Sequence, residues 1–224
     1  MVGRFPLEEE EGGWYNAIVK RGLYSSCTGQ LEDPKVRRNT MRIVKKPEER
    51  RAEMVAAAAN LFTRQGFVRT TVAEIVSAVD VAKGLFYYYF TTKDDMVKAV
   101  VEGYCSYLGS LADEVAAMDA TAEEKLDQMM KMEVWEQCFS QPMLSDLCLP
   151  QHGALYADLC DRVYTHLSPA LEKIVAQALC ERGKDETAAH GIVGVGLYGV
   201  LMMARRGEMT MQNGRETLEK LIGR

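Results

Sequence analysis

Thr70-Thr71-Val72-Ala73-Glu74-Ile75-Val76-Ser77-Ala78-Val79-Asp80-Val81-Ala82-Lys83-Gly84-Leu85-Phe86-Tyr87-Tyr88-Tyr89-Phe90 reads as two short helices joined by a tight turn. Thr71 offers a hydroxyl to cap the first helix, and Glu74, three residues on, completes a capping box. Val72, Ile75, Val76 and Val79 give that helix an apolar face, and Asp80 takes the turn. The second helix, from about Ala82 to Tyr89, carries a lysine, a glycine and three tyrosines within residues 83–89. Successive helical residues turn by about 100°, so the three tyrosines cannot share a face, and at least one is expected inside. Phe86 and Phe90 are assigned to the core, Tyr87 and Tyr89 to the outside, with Tyr88 open. A surface so rich in tyrosine, followed by Lys93, suits a helix laid into a DNA groove, its hydroxyls and ammonium groups reaching phosphates.

Outward from this stretch the chain stays helical. A first helix is predicted from about Pro47 to Gln65, with proline in its first turn and Glu48 and Glu49 where the helix dipole favours acids. Met54, Val55, Ala58, Leu61 and Phe62 form one face, and Gly66 can take a left-handed stop. Thr92 caps a long helix running towards Ala117. Thr121 caps a segment containing Leu126, Met129, Met130, Val134, Trp135, Cys138 and Phe139. Pro142 and Pro150 break the chain, and a helix from about Gly153 to Leu167 follows. Ser168-Pro169 starts or kinks another that reaches Cys180. A glycine-rich helix spans Asp185 to Arg206, and an amphipathic one Met211 to Ile222. No stretch alternates with period two, so the expected class is all-α.

Composition narrows the function. The net charge of -5 divides unevenly: residues 41–104 hold ten Lys/Arg against eight Asp/Glu, residues 105–224 eleven against eighteen, and residues 1–40 six of each. A slightly basic module and an acidic body fit a DNA-facing end and a controlling end. The six cysteines (Cys27, Cys105, Cys138, Cys148, Cys160, Cys180) contain no C-x-x-C pair, and the three histidines (His152, His166, His190) lie far apart. Reduced thiols in a cytoplasmic protein are the expectation, with no metal and no cofactor. Glu8 to Glu11 interrupts any early apolar region, so no signal peptide is read. The uncharged run Thr187 to Ala204 falls short of the roughly 20 strongly apolar residues of a membrane span, and a helix buried on most sides is expected there.

At residues 47–104 the sequence resembles the N-terminal domain of the TetR/AcrR family of transcriptional regulators. The residues that carry the likeness are Ala58-x-x-Leu61-Phe62-x-x-x-Gly66-Phe67, Thr71-Val72-x-x-Ile75, and Val81-x-Lys83-Gly84-x-x-Tyr87-x-Tyr89-Phe90-x-x-Lys93. The resemblance implies a helix-turn-helix dimer whose larger C-terminal domain dimerises and often binds a small molecule. It implies that Lys83, Gly84 and Leu85 face base edges, and that Thr71, Tyr87, Tyr89 and Lys93 lie near phosphates, with Tyr88 a further candidate contact. Three departures stand out. The family's turn glycine is Asp80, the usual hydroxyl cap of the second short helix is Ala82, and positions often Thr and His are Leu85 and Tyr88. Leu85 can touch a thymine methyl but cannot hydrogen-bond a base, which leaves Lys83 as the main polar base reader.

The expected organisation is a disordered extension over 1–40, a helix-turn-helix domain over 41–92, and a helical effector-binding and dimerisation domain over 93–224. Met41 is an alternative start. Arg42, Lys45 and Lys46 read either as a basic arm along the duplex or as solvated charge. Met129, Met130, Trp135, Phe139, Tyr156, Tyr164 and Met202 are candidates for a ligand pocket, since thioethers and aromatics fit irregular ligands. Ala188, Gly191, Gly194, Gly196 and Gly199 suit close helix approach in a dimer interface. No acid, base or nucleophile set points to an enzyme. The leading expectation is therefore a homodimeric repressor released from a palindromic operator by a small apolar or amphipathic effector. The alternative is a DNA-binding adaptor or nucleoid-associated protein of the same fold, controlled by a protein partner.

Overall fold

Pro47–Gln65 forms the first helix, α1, in the computed structural model, which describes residues 46–130 and 142–208 together with Lys220. Ala52, Met54, Val55, Ala58, Ala59 and Phe62 are its buried face, close to the predicted stripe. Gly66 ends it with φ 80° and ψ 159°, its N–H donating to Phe62 O at 2.9 Å. The positive φ was expected, but the extended ψ replaces the left-handed stop, and essentially only glycine occupies that region. Here the chain must turn sharply into Phe67, whose side chain is buried.

Val72–Ala78 forms α2. Its capping box closes as read: Thr71 N–H donates to Glu74 Oε2 at 2.7 Å, and Glu74 N–H donates to Thr71 Oγ1 at 3.2 Å. The Thr71 backbone N–H and hydroxyl, both donating to Glu74 Oε2, together with Gln65 Nε2 donating to Oε1, hold the Glu74 carboxyl below the usual carboxylate range. Asp80 makes the turn with φ 51°, a left-handed conformation that a non-glycine residue adopts at some cost. Lys83–Tyr89 is α3, with no side-chain cap at Ala82. Lys93–Ala116 is α4, started by Thr92 and Asp95, whose backbone N–H groups donate to each other's side-chain oxygens at 2.9 and 3.1 Å.

The chain divides into two compact units, Met1–Val100 and Val101–Arg224, with the division inside α4. The sequence-based boundary stood at the start of that helix.

In the second unit, Ala122–Met130 is α5, Pro142–Cys148 is α6, Gly153–Glu181 is α7 and Ala189–Arg205 is α8, with single 3-10 turns at Pro150–His152 and Glu186–Ala188. Val134, Trp135, Cys138, Phe139, residues 1–40 and, apart from Lys220, the predicted helix from Met211 to Ile222 lie outside the described residues. The described residues hold helices and turns and no strand. The long helix α7 packs against α5, α6 and α8. It runs on through Pro169, so the two helices expected on either side of Ser168-Pro169 are one. The physical reason is its buried face, which continues through Val163, Leu167, Ala170 and Ile174 on both sides of the proline. That packing offsets the lost backbone hydrogen bond.

Glu102 and Arg162 form an ion pair in this unit, Arg162 also pairs with Asp158 at 2.7 Å, and His166 Nε2 lies 3.0 Å from Glu102 Oε1. Beside that cluster the α4 and α7 backbones meet at Gly109. Cys105 and Cys160 are buried, Cys148 is half-buried and Cys180 exposed, and all four are free thiols. Burial pushes the Cys160 thiol up to about 11.

Two expectations for the glycine-rich helix fail here, that its apolar run falls short of a membrane span in length and composition and that it is buried on most sides. The stretch Glu186–Arg205 is apolar and long enough for a membrane span by length and composition, yet only 22% of its most apolar window is buried. Gly191, Val195, Tyr198, Gly199 and Met202 all lie on the exposed side of α8. The described residues leave this side uncovered, although it also carries the bulky Val195, Tyr198 and Met202. Only Ala189, Val193, Gly196 and Leu201 are buried on the inner side.

Two stability predictions follow from local geometry. A Cβ on Gly109 would stand 2.8 Å from His166 O, a backbone atom of α7. Gly109→Ala should therefore destabilise the protein by about 1–3 kcal/mol, despite alanine's better helix propensity. Thermal unfolding monitored by circular dichroism reads this directly. Thr71→Ala should cost about 1 kcal/mol at neutral pH. Because the folded Glu74 pKa is depressed, its contribution is present above the unfolded value of about 4.3 and is lost as pH falls through the folded value. The stability gap between Thr71→Ala and the parent should thus narrow in acid, which melts taken from pH 7 to pH 3 would record.

Candidate nucleic-acid interface

At seven residues and without a side-chain cap, α3 is too short to persist as an isolated helix. Side chains on its inner face hold it. Phe86 and Phe90 are buried, their ring centroids 5.6 Å apart. The Arg51 guanidinium of α1 lies over the Phe90 ring, 5.0 Å from its centroid. Phe67 meets Phe62 edge-on at 6.1 Å in the same unit.

With Phe86 directed inward, helical geometry turns the residues around it outward. Lys83 and Gly84 are exposed, Tyr87 is 52% exposed and Tyr88 76%. Leu85 and Tyr89 are half-buried. Tyr87 leans edge-on against Phe86 with centroids 5.3 Å apart, and Tyr88 and Tyr89 meet edge-on at 4.9 Å. None of the three tyrosines is buried, so the expectation of one inside the module is met only halfway, by Tyr89. The residue left open in the sequence reading, Tyr88, is the outermost.

Gly84 adds a signal that sequence alone did not provide. A Cβ built there meets nothing within 4 Å, and its backbone has no positive φ. Neither packing nor conformation within the chain requires glycine at this position. Glycine in a helix costs about 1 kcal/mol against alanine. A residue that costs stability without internal cause suits a surface to be approached closely from outside.

Thr71 is exposed, and its hydroxyl is engaged with Glu74. Lys93, expected beside a phosphate, reaches the loop that precedes α2. Its Nζ donates to Phe67 O at 2.9 Å and Thr70 O at 3.2 Å, stands 3.5 Å from Val68 O, and lies 5.9 Å from the Phe67 ring centroid. The legible hint was its position in the first turn of α4, where the helix dipole disfavours a cation. The outer face of α3 thus presents an ammonium group, two phenolic hydroxyls and a bare glycine backbone, and α3 carries no acid. Donors in such an arrangement suit phosphate oxygens and base acceptors.

The candidate pocket residues fall at several places in the second unit. Met129 is buried, and Met130 ends α5. Tyr156 is buried, its hydroxyl donating to Leu201 O at 2.6 Å, with the Arg205 guanidinium 5.1 Å from its ring centroid. Tyr164 stacks on Tyr198 at 5.4 Å, and Met202 faces outward on α8. Trp135 and Phe139 lie outside the described residues. Among the described residues, no group of three or more His, Cys, Asp or Glu is arranged to hold a metal ion.

Comparison with known proteins bears on the same segment. Residues 54–100 match the family model for bacterial regulatory proteins of the tetR family. Over 50 residues the chain is 44% identical to the HTH-type transcriptional regulator HbdR of Aromatoleum sp. (strain CIB), covering 22% of each chain. Over 81 residues it is 30% identical to the HTH-type transcriptional repressor KstR2 of Rhodococcus jostii (strain RHA1), covering 36% of this chain and 40% of that one. The chain thus matches less than half the length of either relative. Among solved structures, RolR in complex with resorcinol is similar with a TM-score of 0.56 and 18% identity, over 79% of this chain and 87% of that one. A TetR-family regulator from Mesorhizobium loti MAFF303099 is similar with a TM-score of 0.55 and 16% identity, over 80% and 95%. These two likenesses extend the shared all-helical fold beyond the matched segment. The helix-turn-helix segment is thus similar to that of bacterial regulatory proteins of the tetR family, and the chain shares the all-helical fold of these solved structures.

Proposed function

We propose that the chain is a homodimeric transcriptional repressor that binds a palindromic operator through α3 and is released by a small apolar or amphipathic effector. The observation that carries the DNA-binding reading is the outward set Lys83, Gly84, Tyr87 and Tyr88, held by Phe86 and Phe90. In this reading Lys83 meets a guanine edge and Leu85 a thymine methyl. Tyr87, Tyr88, Tyr89 and Thr71 grip flanking phosphates, and Gly84 lets the backbone come close to the duplex. Two protomers would address half-sites about one helical turn or more apart. KstR2 is described as a repressor, which supports the sign of regulation.

The dimer reading rests on the exposed side of α8, where Gly191, Val195, Tyr198, Gly199 and Met202 recur at helical spacing. Val195 is 74% exposed within an apolar face that also exposes Tyr198, Met202 and Met203, and contiguous patches of this kind mark interaction sites. The same face would serve the alternative of a protein-docked adaptor. The effector reading rests on the aromatic and thioether residues of α5 and α7, Tyr156 and Met129 among them, and RolR is seen with resorcinol. An effector would act by binding one of two states of the dimer more tightly.

The operator is obtained by selecting bound fragments from genomic DNA. On that duplex, Lys83→Ala should weaken binding by about 1–3 kcal/mol per half-site and relax sequence preference at one position. Gly84→Ala should separate two properties: the protein gains about 1 kcal/mol of helix stability while its operator affinity falls. Unchanged affinity in both variants contradicts the reading. For the dimer, the parent chain should sediment as a dimer at micromolar concentration and Val195→Glu as a monomer. A monomeric parent rejects the homodimer.

A further inference from the structure

We propose that Lys93 is a positioning residue for DNA binding, one that fixes the loop entering the helix-turn-helix instead of touching the duplex. The inference rests on the reading of α3 as the DNA-facing element. Three observations carry it. Lys93 opens α4, where Asp94 and Asp95 suit the helix dipole and a cation does not. Its ammonium group faces carbonyl oxygens of Phe67, Val68 and Thr70 at 2.9, 3.5 and 3.2 Å, so two of its three donors are committed and the third is at the limit of a hydrogen bond. The loop it gathers is otherwise built around a single polar core. The Thr70 hydroxyl is buried and donates to Gly66 O at 2.7 Å, while Gln65 Nε2 donates to Thr70 Oγ1 at 3.2 Å and reaches Glu74 Oε1 at 3.4 Å.

Carbonyls of a loop that belongs to neither α1 nor α2 have no helical ladder to enter. A compact ammonium serves several of them at once, because its three protons diverge from one atom. Thr71, the capping residue of α2, follows immediately. Holding Thr70 therefore sets where α2 begins, and α2 packs directly against both α1 and α3. Lys93 thus acts on the reading helix through the 67–70 backbone.

A planar guanidinium keeps the charge and binds phosphate well, but it cannot converge on three carbonyls as an ammonium does. The test compares full-length Lys93→Met and Lys93→Arg with the parent, each checked for parent-level helicity by circular dichroism. Amide hydrogen exchange is followed over residues 67–75, and binding is measured with a fluorescent duplex of mixed sequence between about 50 and 200 mM salt. Both variants should exchange faster over 67–75 and bind the duplex about tenfold more weakly, with the slope of log K against log salt unchanged. If Lys93→Arg binds like the parent while Lys93→Met loses about 0.9 from the slope per protomer, Lys93 is a phosphate ligand and the proposal is overturned. Faster exchange with undiminished binding in both variants makes the contact merely structural and also overturns it. A parent chain that binds no duplex overturns the DNA-binding reading, and the positioning role with it.

Discussion

The burial of two phenylalanines makes the reading helix possible. A seven-residue helix with no side-chain cap and a glycine at its second position has little stability of its own. Phe86 and Phe90, each fully withdrawn from water, contribute roughly 1.5–3 kcal/mol apiece. Their direction fixes everything on the opposite side. Once Phe86 points inward, Lys83, Gly84, Tyr87 and Tyr88 have nowhere to go but out.

The second requirement is that the loop before α2 be held in register with α3. The chain meets it with a knot of short-range polar contacts: Gly66 in a conformation reserved for glycine, the buried Thr70 hydroxyl, the Thr71–Glu74 box and the Lys93 ammonium. Charge plays a local part here. The module carries only two more basic than acidic residues, so the proposed attraction for a polyanion cannot rest on net charge. It rests on where donors stand, and on an α3 free of carboxylates.

Much of this was legible in the sequence because its causes are local. Thr71 with Glu74, Thr92 with Asp95 and Thr121 with Glu124 announce helix starts by chemistry confined to four residues, and α1 is bounded by Pro47 and Gly66. What was not legible depends on contacts distant in sequence. Pro169 is carried through α7 by the buried face on either side of it. Which side of α8 is exposed depends on the elements that pack against it, α7 above all. Lys93 meets carbonyls 23 to 26 positions earlier, a pairing no spacing rule reveals. Tyr88 as the outermost tyrosine follows only once the phases of Phe86 and Phe90 are both fixed.

The two units divide the work in the proposed regulator. The first offers a small, rigid surface defined by its buried aromatics. The second offers an exposed apolar helix face and an aromatic interior on α7. The central claim concerns the first, and backbone amide NMR of the chain titrated with its selected duplex tests it most directly. The account predicts that the largest shift changes fall on residues 83–89 and on the turn before them. Changes confined to other segments, with 83–89 undisturbed at saturating duplex, would contradict it.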